Sequence, residues 1–198
     1  FTLHQSGGAS GGVLRPHRLV VSTWKFGGGR LEATHSFDVR IEGESAPIDP
    51  EGALAHPGGA AEVDMVVVND QDLTYAVSRL DPHSTDVALA YAGTCPEAIT
   101  RAVVWAALWN ALRDGLVDPR RFVQSALVAV ESEAEPAVRD RLLALAHSAI
   151  RDYLPGGARQ GLRELLSAAT IRYARETGDA DAARAFTRAF ITEFEAYG

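Results

Sequence analysis

Cysteine is almost missing from these 198 residues: Cys95 stands alone, so no disulfide can close within the chain and a reducing, cytoplasmic setting is expected. Lysine is equally scarce, with Lys25 the only one among 19 basic residues, and acidic residues outnumber basic ones 26 to 19. A formal charge of −7 leaves no surplus of cations to neutralise a phosphate backbone or to hold an anionic lipid surface, which points away from nucleic-acid and membrane partners. No apolar run nears the roughly 20 residues of a membrane-spanning helix. The opening "FTLHQSGG" lacks an initiator Met, a basic n-region and the apolar h-region of a signal peptide. It starts on a strand-like pattern and reads as a piece of something longer.

What is present divides in two. With 46% hydrophobic residues the chain can build a core. Residues 1–80 carry a period of two. "HRLVVSTW" (17–24) and "RLEATHSFDVRIEG" (30–43) flank the glycine turn 27–29 and predict a hairpin, with Leu31, Ala33, Phe37, Val39 and Ile41 largely on one face. "GGASGG" (7–12) reads as a loop or the scar of a missing segment, and 43–62 as a Pro- and Gly-rich loop. "VDMVVV" (63–68) and "LTYAVSRL" (73–80), joined by "NDQD", predict a second pair of strands of a small sandwich, with Leu73, Tyr75 and Val77 alternating against Thr74, Ala76 and Ser78 so that one face turns into it. From residue 82 the period becomes helical. Six helices are expected over 82–93, 95–116, 118–133, 135–154, 158–178 and 179–198, with Gly93 as the C′ residue of the first and Asp118 capping the third. In the second, Ile99, Val103, Ala106, Ala107 and Leu112 mark the apolar face. The fold class is therefore α+β: a small antiparallel β-sandwich at 1–80, then an all-helical, solenoid-like domain of αα-hairpins at 82–198.

Chemistry is harder to find. The six histidines (His4, His17, His35, His56, His83 and His147) form no H-E-x-x-H and no i, i+4 pair. His17 and His35 lie in strands that could bring them together across a sheet, but no third ligand accompanies them. Cys95 precedes Pro96 at a helix start, where a thiol pKa can fall; a buried thiol without a role is the simpler reading. No G-x-S-x-G, phosphate-binding loop or G-x-G-x-x-G occurs. Trp105 and Trp109, one helical turn apart, read as a core seam before a ligand platform. Glu131, Glu133 and Glu135 read as a solvated acidic run. No set of residues supplies nucleophile, base and oxyanion donor together.

Four stretches carry a resemblance. "VVVNDQDLTYAVSRLD" (66–81) resembles the "LLNDDDLTYAKIRLD"-like segment of the aminopeptidase N family of zinc metallopeptidases, actinobacterial members above all. Asn69, Asp70, Asp72, Leu73, Thr74, Tyr75, Ala76, Arg79, Leu80 and Asp81 match in place, while Val77 and Gln71 depart from a Lys and an Asp. "LRPHRLVVSTW" (14–24), "LEATHSFDVRIEGE" (31–44) and "ITRAVVWAALWNALRDGLVDPRRFVQSAL" (99–127) are similar to further stretches of that family in the same order, with Asn110 in place of an Asp. The family's G-A-M-E-N and H-E-x-x-H motifs are absent from this sequence.

The resemblance implies the non-catalytic C-terminal portion of an aminopeptidase. Its catalytic domain, with the zinc, would lie on other polypeptide and would be this chain's partner, together with the peptide substrate. No catalytic, cofactor-binding or metal-binding residue is assigned here. The helical part would enclose a chamber over the catalytic domain and guide peptides into it, and Arg113 and Arg163 are the candidate contacts for a peptide carboxylate. The rival expectation is a stand-alone helical-repeat module that binds a protein or peptide.

Overall fold

The computed structural model describes residues 1–7, 12–49, 52 and 63–195, and the last strand, ending at Val68, is followed by a stretch without regular structure before the first helix begins at Pro82. The described residues hold strands β1 (Thr2–His4), β2 (His17–Gly27), β3 (Arg30–Ile41), β4 (Ser45–Pro47) and β5 (Met65–Val68). Helices α1 (Pro82–Tyr91), α2 (Ala98–Arg113), α3 (Pro119–Glu131), α4 (Pro136–Tyr153), α5 (Gly156–Glu176) and α6 (Ala180–Glu195) follow. This is the expected α+β class. The expected loops at 7–12 and 43–62 lie largely outside the described residues. The chain forms two compact units, Phe1–Ala107 and Leu108–Gly198.

In the first unit, Gly28 and Gly29 take φ of +59° and +86°, where only a residue without Cβ is unstrained. Their two-residue turn closes the β2–β3 hairpin, Gly27 opposite Arg30 and His17 opposite Ile41. Between Thr23 and Trp24 the register slips by one residue at Thr34, whose hydroxyl donates to the Thr23 carbonyl at 3.1 Å. Ala33 is exposed, against the burial expected for it, while Leu31 is buried as expected. β5 joins the free edge of β2, giving the order β3-β2-β5, while β1 pairs with β4 in a separate two-stranded sheet. Leu19, Val21 and Val39 of the larger sheet form one apolar cluster with Ile48, Leu3 and Ala46 from the smaller sheet and its border. That cluster is the interior of the sandwich.

The expected strand over 73–80 is not formed. Leu73, Tyr75 and Val77 are 57%, 105% and 66% exposed, so their side of the segment is not covered. The cause lies in the preceding turn. Asn69 and Asp72 adopt φ of 62° and 51°, and the Asn69 side chain both accepts from the Thr74 amide at 3.2 Å and donates to the Thr74 carbonyl at 2.9 Å. A side chain thus takes the hydrogen bonds that a neighbouring strand would have taken.

Asp81 begins α1, its side chain accepting from the Ser84 amide at 3.0 Å with Pro82 in the first turn. The Ser84 hydroxyl in turn accepts from the Val66 amide at 2.9 Å, tying the helix to β5. Gly93 follows the C-cap Ala92 and so stands at the expected C′ position, but Ala92 is right-handed and Ala92–Thr94 continue as a 3-10 turn. Burial pushes the Asp81 carboxyl up, but hydrogen bonds from Ser84 and the His83 amide outweigh it and hold its pKa below 3.8. A depressed carboxylate stabilises the fold fully above its unfolded pKa and stops doing so as pH falls through the folded value. Urea midpoints should therefore fall more steeply for the natural chain than for Asp81→Asn below about pH 4, the two curves converging; parallel curves would contradict the cap.

In the second unit, α3 buries Phe122, Val123, Ala126, Leu127 and Val130, the spacing of one helical face. Asp118 caps it as expected, accepting from the Arg120 amide at 2.8 Å. Short loops fold α3 onto α4 and α5 onto α6 as hairpins. Polar bonds link the pairs: the Tyr173 hydroxyl donates to the Leu127 carbonyl at 3.1 Å, and His147 Nε2 lies 3.0 Å from the Ala189 carbonyl. α5 starts at Gly156, two residues ahead of the expected start.

Candidate functional site

The residues with the strongest resemblance, 69–74, build a polar joint. The Asp70 amide donates to the Val20 carbonyl at 3.0 Å, anchoring the turn to β2. The Asp70 carboxylate, 4% exposed, accepts from the Thr100 hydroxyl at 2.5 Å, and Thr100 is itself 1% exposed. Arg101, 9% exposed, donates to the Cys95 and Pro96 carbonyls at 2.8 Å each, closing the backbone that leads into α2. His17 Nδ1 shares a 2.6 Å hydrogen bond with the Thr74 hydroxyl. This arrangement holds two backbone segments together and presents no nucleophile to solvent.

α2 buries a face that includes polar residues of this joint. Its inward row in the first unit is Thr100, Arg101, Val104, Trp105 and Ala107, while Ile99 is 41% exposed and Ala106 lies outward. The expected face was drawn from apolar residues alone; Ala107 and Leu112 are buried as expected, but Thr100, bonded to Asp70, and Arg101, bonded to the Cys95 and Pro96 carbonyls, lie inward as well.

Cys95 is 2% exposed. Burial, then the Asp70 charge, pushes its thiol up to about 12, against a smaller opposing effect of Arg101. A thiolate is the reactive form, so labelling by an aromatic disulfide at pH 8 should be negligible in the folded chain and complete in denaturant. Rapid labelling without denaturant would show the thiol to be accessible.

His17 and His35 do not meet: His17 stands opposite Ile41, and His35 opposite Thr23. Among the described residues, no group of three or more His, Cys, Asp or Glu is placed to hold a metal ion. Trp105 is buried in the first unit. Trp109, in the second, packs against Phe122 and Tyr153 with ring centroids 5.8 and 5.5 Å away, a core seam and not a platform for a ligand. The acidic run is not uniformly solvated. Glu131 pairs with Arg172 at 3.0 Å, but Glu133 is 7% exposed and accepts from the Glu135 amide at 2.9 Å, bracing the loop before α4. Arg113 is exposed at the end of α2, and Arg163 is half-buried in α5.

Sequence reading missed one feature of the second unit. A recess of 580 Å³ opens between α4 and α6, lined among others by Pro136, Arg139, Asp140, Asp181, Arg184 and Arg188. Arg139 is 2% exposed. A buried arginine on an otherwise amphipathic helix reads as a surface charge until the packing is seen; its one warning is its place between Val138 and Leu142, on the face that turns inward.

Sandwich, polar joint and paired helices define a class: a β-sandwich followed along the chain by αα-hairpins. Residues 65–193 match the family of ERAP1-like C-terminal domains. Over 181 residues the chain is 30% identical to aminopeptidase N of Streptomyces lividans, an alignment covering 90% of this chain and 20% of that protein. The chain belongs to the aminopeptidase C-terminal domain family, and it spans about a fifth of the length of the curated relative it matches. No helix among the described residues is long and apolar enough to cross a membrane.

Proposed function

We propose that this chain is the non-catalytic C-terminal portion of a zinc metallo-aminopeptidase, which removes N-terminal residues from peptides. The match of residues 65–193 to aminopeptidase C-terminal domains carries the reading. The 198 residues contain no H-E-x-x-H, so no step of the hydrolysis is assigned to them. Their work is mechanical: the helical part walls a chamber over the catalytic domain, and enclosure orients a peptide and excludes bulk water. Arg113 and Arg163 contact the peptide, as cations suited to its carboxylate. Residue 81 is the boundary between the β-sandwich and the helical domain. A cytoplasmic setting fits the single buried thiol, and the net charge of −7 fits the absence of nucleic-acid or lipid partners.

The exposed row Leu73, Tyr75 and Val77 supports the partner assignment. Three large apolar side chains on one extended segment are what a neighbouring polypeptide would cover, and the matched relative has some four-fifths of its length beyond the aligned region.

The test is direct. The reading frame around this segment should encode H-E-x-x-H, and the whole product should release nitroaniline from aminoacyl nitroanilides. The 198-residue chain with added zinc should release none; turnover by the chain alone overturns the proposal. In the whole product, alanine at Arg113 or Arg163 should raise KM for peptides of several residues, and an unchanged KM at both removes their role.

A further inference from the structure

We propose that the recess between α4 and α6 is a binding site for a carboxylate, held by Arg139 with Arg184 and Arg188. Arg139 carries the inference. Its guanidinium offers five N–H donors, yet it is 2% exposed, its Nε has no hydrogen-bond partner, and its Nη1 reaches only the Glu133 carbonyl, at 3.5 Å. The buried Glu133 carboxylate is turned to the Glu135 amide. A buried cation normally has a counter-charge and satisfied donors, and Arg139 lines an open recess of 580 Å³ that has room for one.

The rest of the wall agrees. Glu135, at the N-cap of α4, makes no side-chain cap, and Pro136, which follows it, lies on the lining, so the recess adjoins the positive end of the α4 dipole. Across from it, Arg184 and Arg188 stand one turn apart on α6, Arg184 paired with Asp181, and Arg188 with Asp140 at a loose 3.7 Å. Three arginines against two aspartates leave one positive charge, which one monoanion balances. A doubly charged phosphate would meet Asp140 and Asp181 with charge to spare. A planar carboxylate also fits the fork of a guanidinium. All of these residues belong to the second compact unit, so the site requires no partner domain.

Sodium acetate, tri-alanine with a free C-terminus, tri-alanine amide and inorganic phosphate should each be titrated into the 198-residue chain at constant ionic strength, following backbone amide resonances. Saturable shifts at Ala137, Val138 and Arg184 are expected with a carboxylate and not with the amide. Saturation by acetate identifies a free small carboxylate as sufficient; saturation by the tripeptide acid alone identifies a chain terminus as the source. Arg139→Met and Arg184→Ala should each weaken the binding by about tenfold. Should Arg139→Met fail to fold by circular dichroism, Arg184→Ala and Arg188→Ala, both at exposed positions, decide in its place. Absence of saturation with either carboxylate, equal affinity for the amide, tighter binding of phosphate, or unchanged affinity in the folded variants would overturn the proposal.

Discussion

Phe122→Ala should destabilise the helical unit by about 3–5 kcal/mol, the cost of emptying an aromatic site that cannot collapse. Phe122 is 0% exposed and touches the Trp109 ring, which itself leans on Tyr153, so one truncation removes a contact shared by α2, α3 and α4. The chain also forms two compact units, and this makes the expected result more specific. In urea, the helical signal from the second unit should be lost first. Trp24, buried in the sandwich and donating to the Ser22 hydroxyl at 2.7 Å, should keep its native environment to higher denaturant. Hydrogen exchange resolves the two populations. A variant in which both units melt together, at the midpoint of the natural chain, would show that Phe122 anchors neither.

The helices were legible because their signals are local. Asp118 and Pro119 announce the start of α3, and the Phe122, Val123, Ala126, Leu127, Val130 row gives its buried face by spacing alone. The β2–β3 hairpin was legible for a similar reason, since consecutive glycines mark a turn with positive φ. Failures came where one side chain overrides a pattern. Alternation over 73–80 is that of a strand, but Asn69 satisfies the backbone of Thr74 from the side, and no periodicity contains that fact. Likewise Glu133 and Arg139 carry the residue types of a surface and lie inside. Their burial depends on how α4 meets its neighbours, which is long-range information.

The candidate site followed the same division. The family was legible from 66–81 and 99–127, and the match over 65–193 agrees with it. The four-residue turn at the centre of that resemblance proved to be a structural joint: its matched residues Asn69 and Asp70 hold a backbone turn and a helix start. A motif can thus identify a protein strongly while carrying no chemistry. The recess at Arg139 shows the converse, an arrangement with an unmet chemical demand and no motif to announce it.

Asp70→Ala should cost about 2–3 kcal/mol, because the Thr100 hydroxyl would be left buried without an acceptor. The bond joins the end of β5 to the first turn of α2, thirty residues along the chain, so its loss loosens the connection between sandwich and helix inside the first unit. Asp70→Asn keeps an acceptor oxygen and should lose less. Thr100→Val removes the hydroxyl but leaves the carboxylate buried, and should cost nearly as much as Asp70→Ala. The double variant Asp70→Ala, Thr100→Val no longer buries either polar group, and should be more stable than the sum of the single losses by about 1 kcal/mol or more. Chemical denaturation of the four proteins at neutral pH completes the cycle. Strict additivity would mean that the 2.5 Å contact couples nothing, and that the role of Asp70 lies wholly in its amide bond to the Val20 carbonyl.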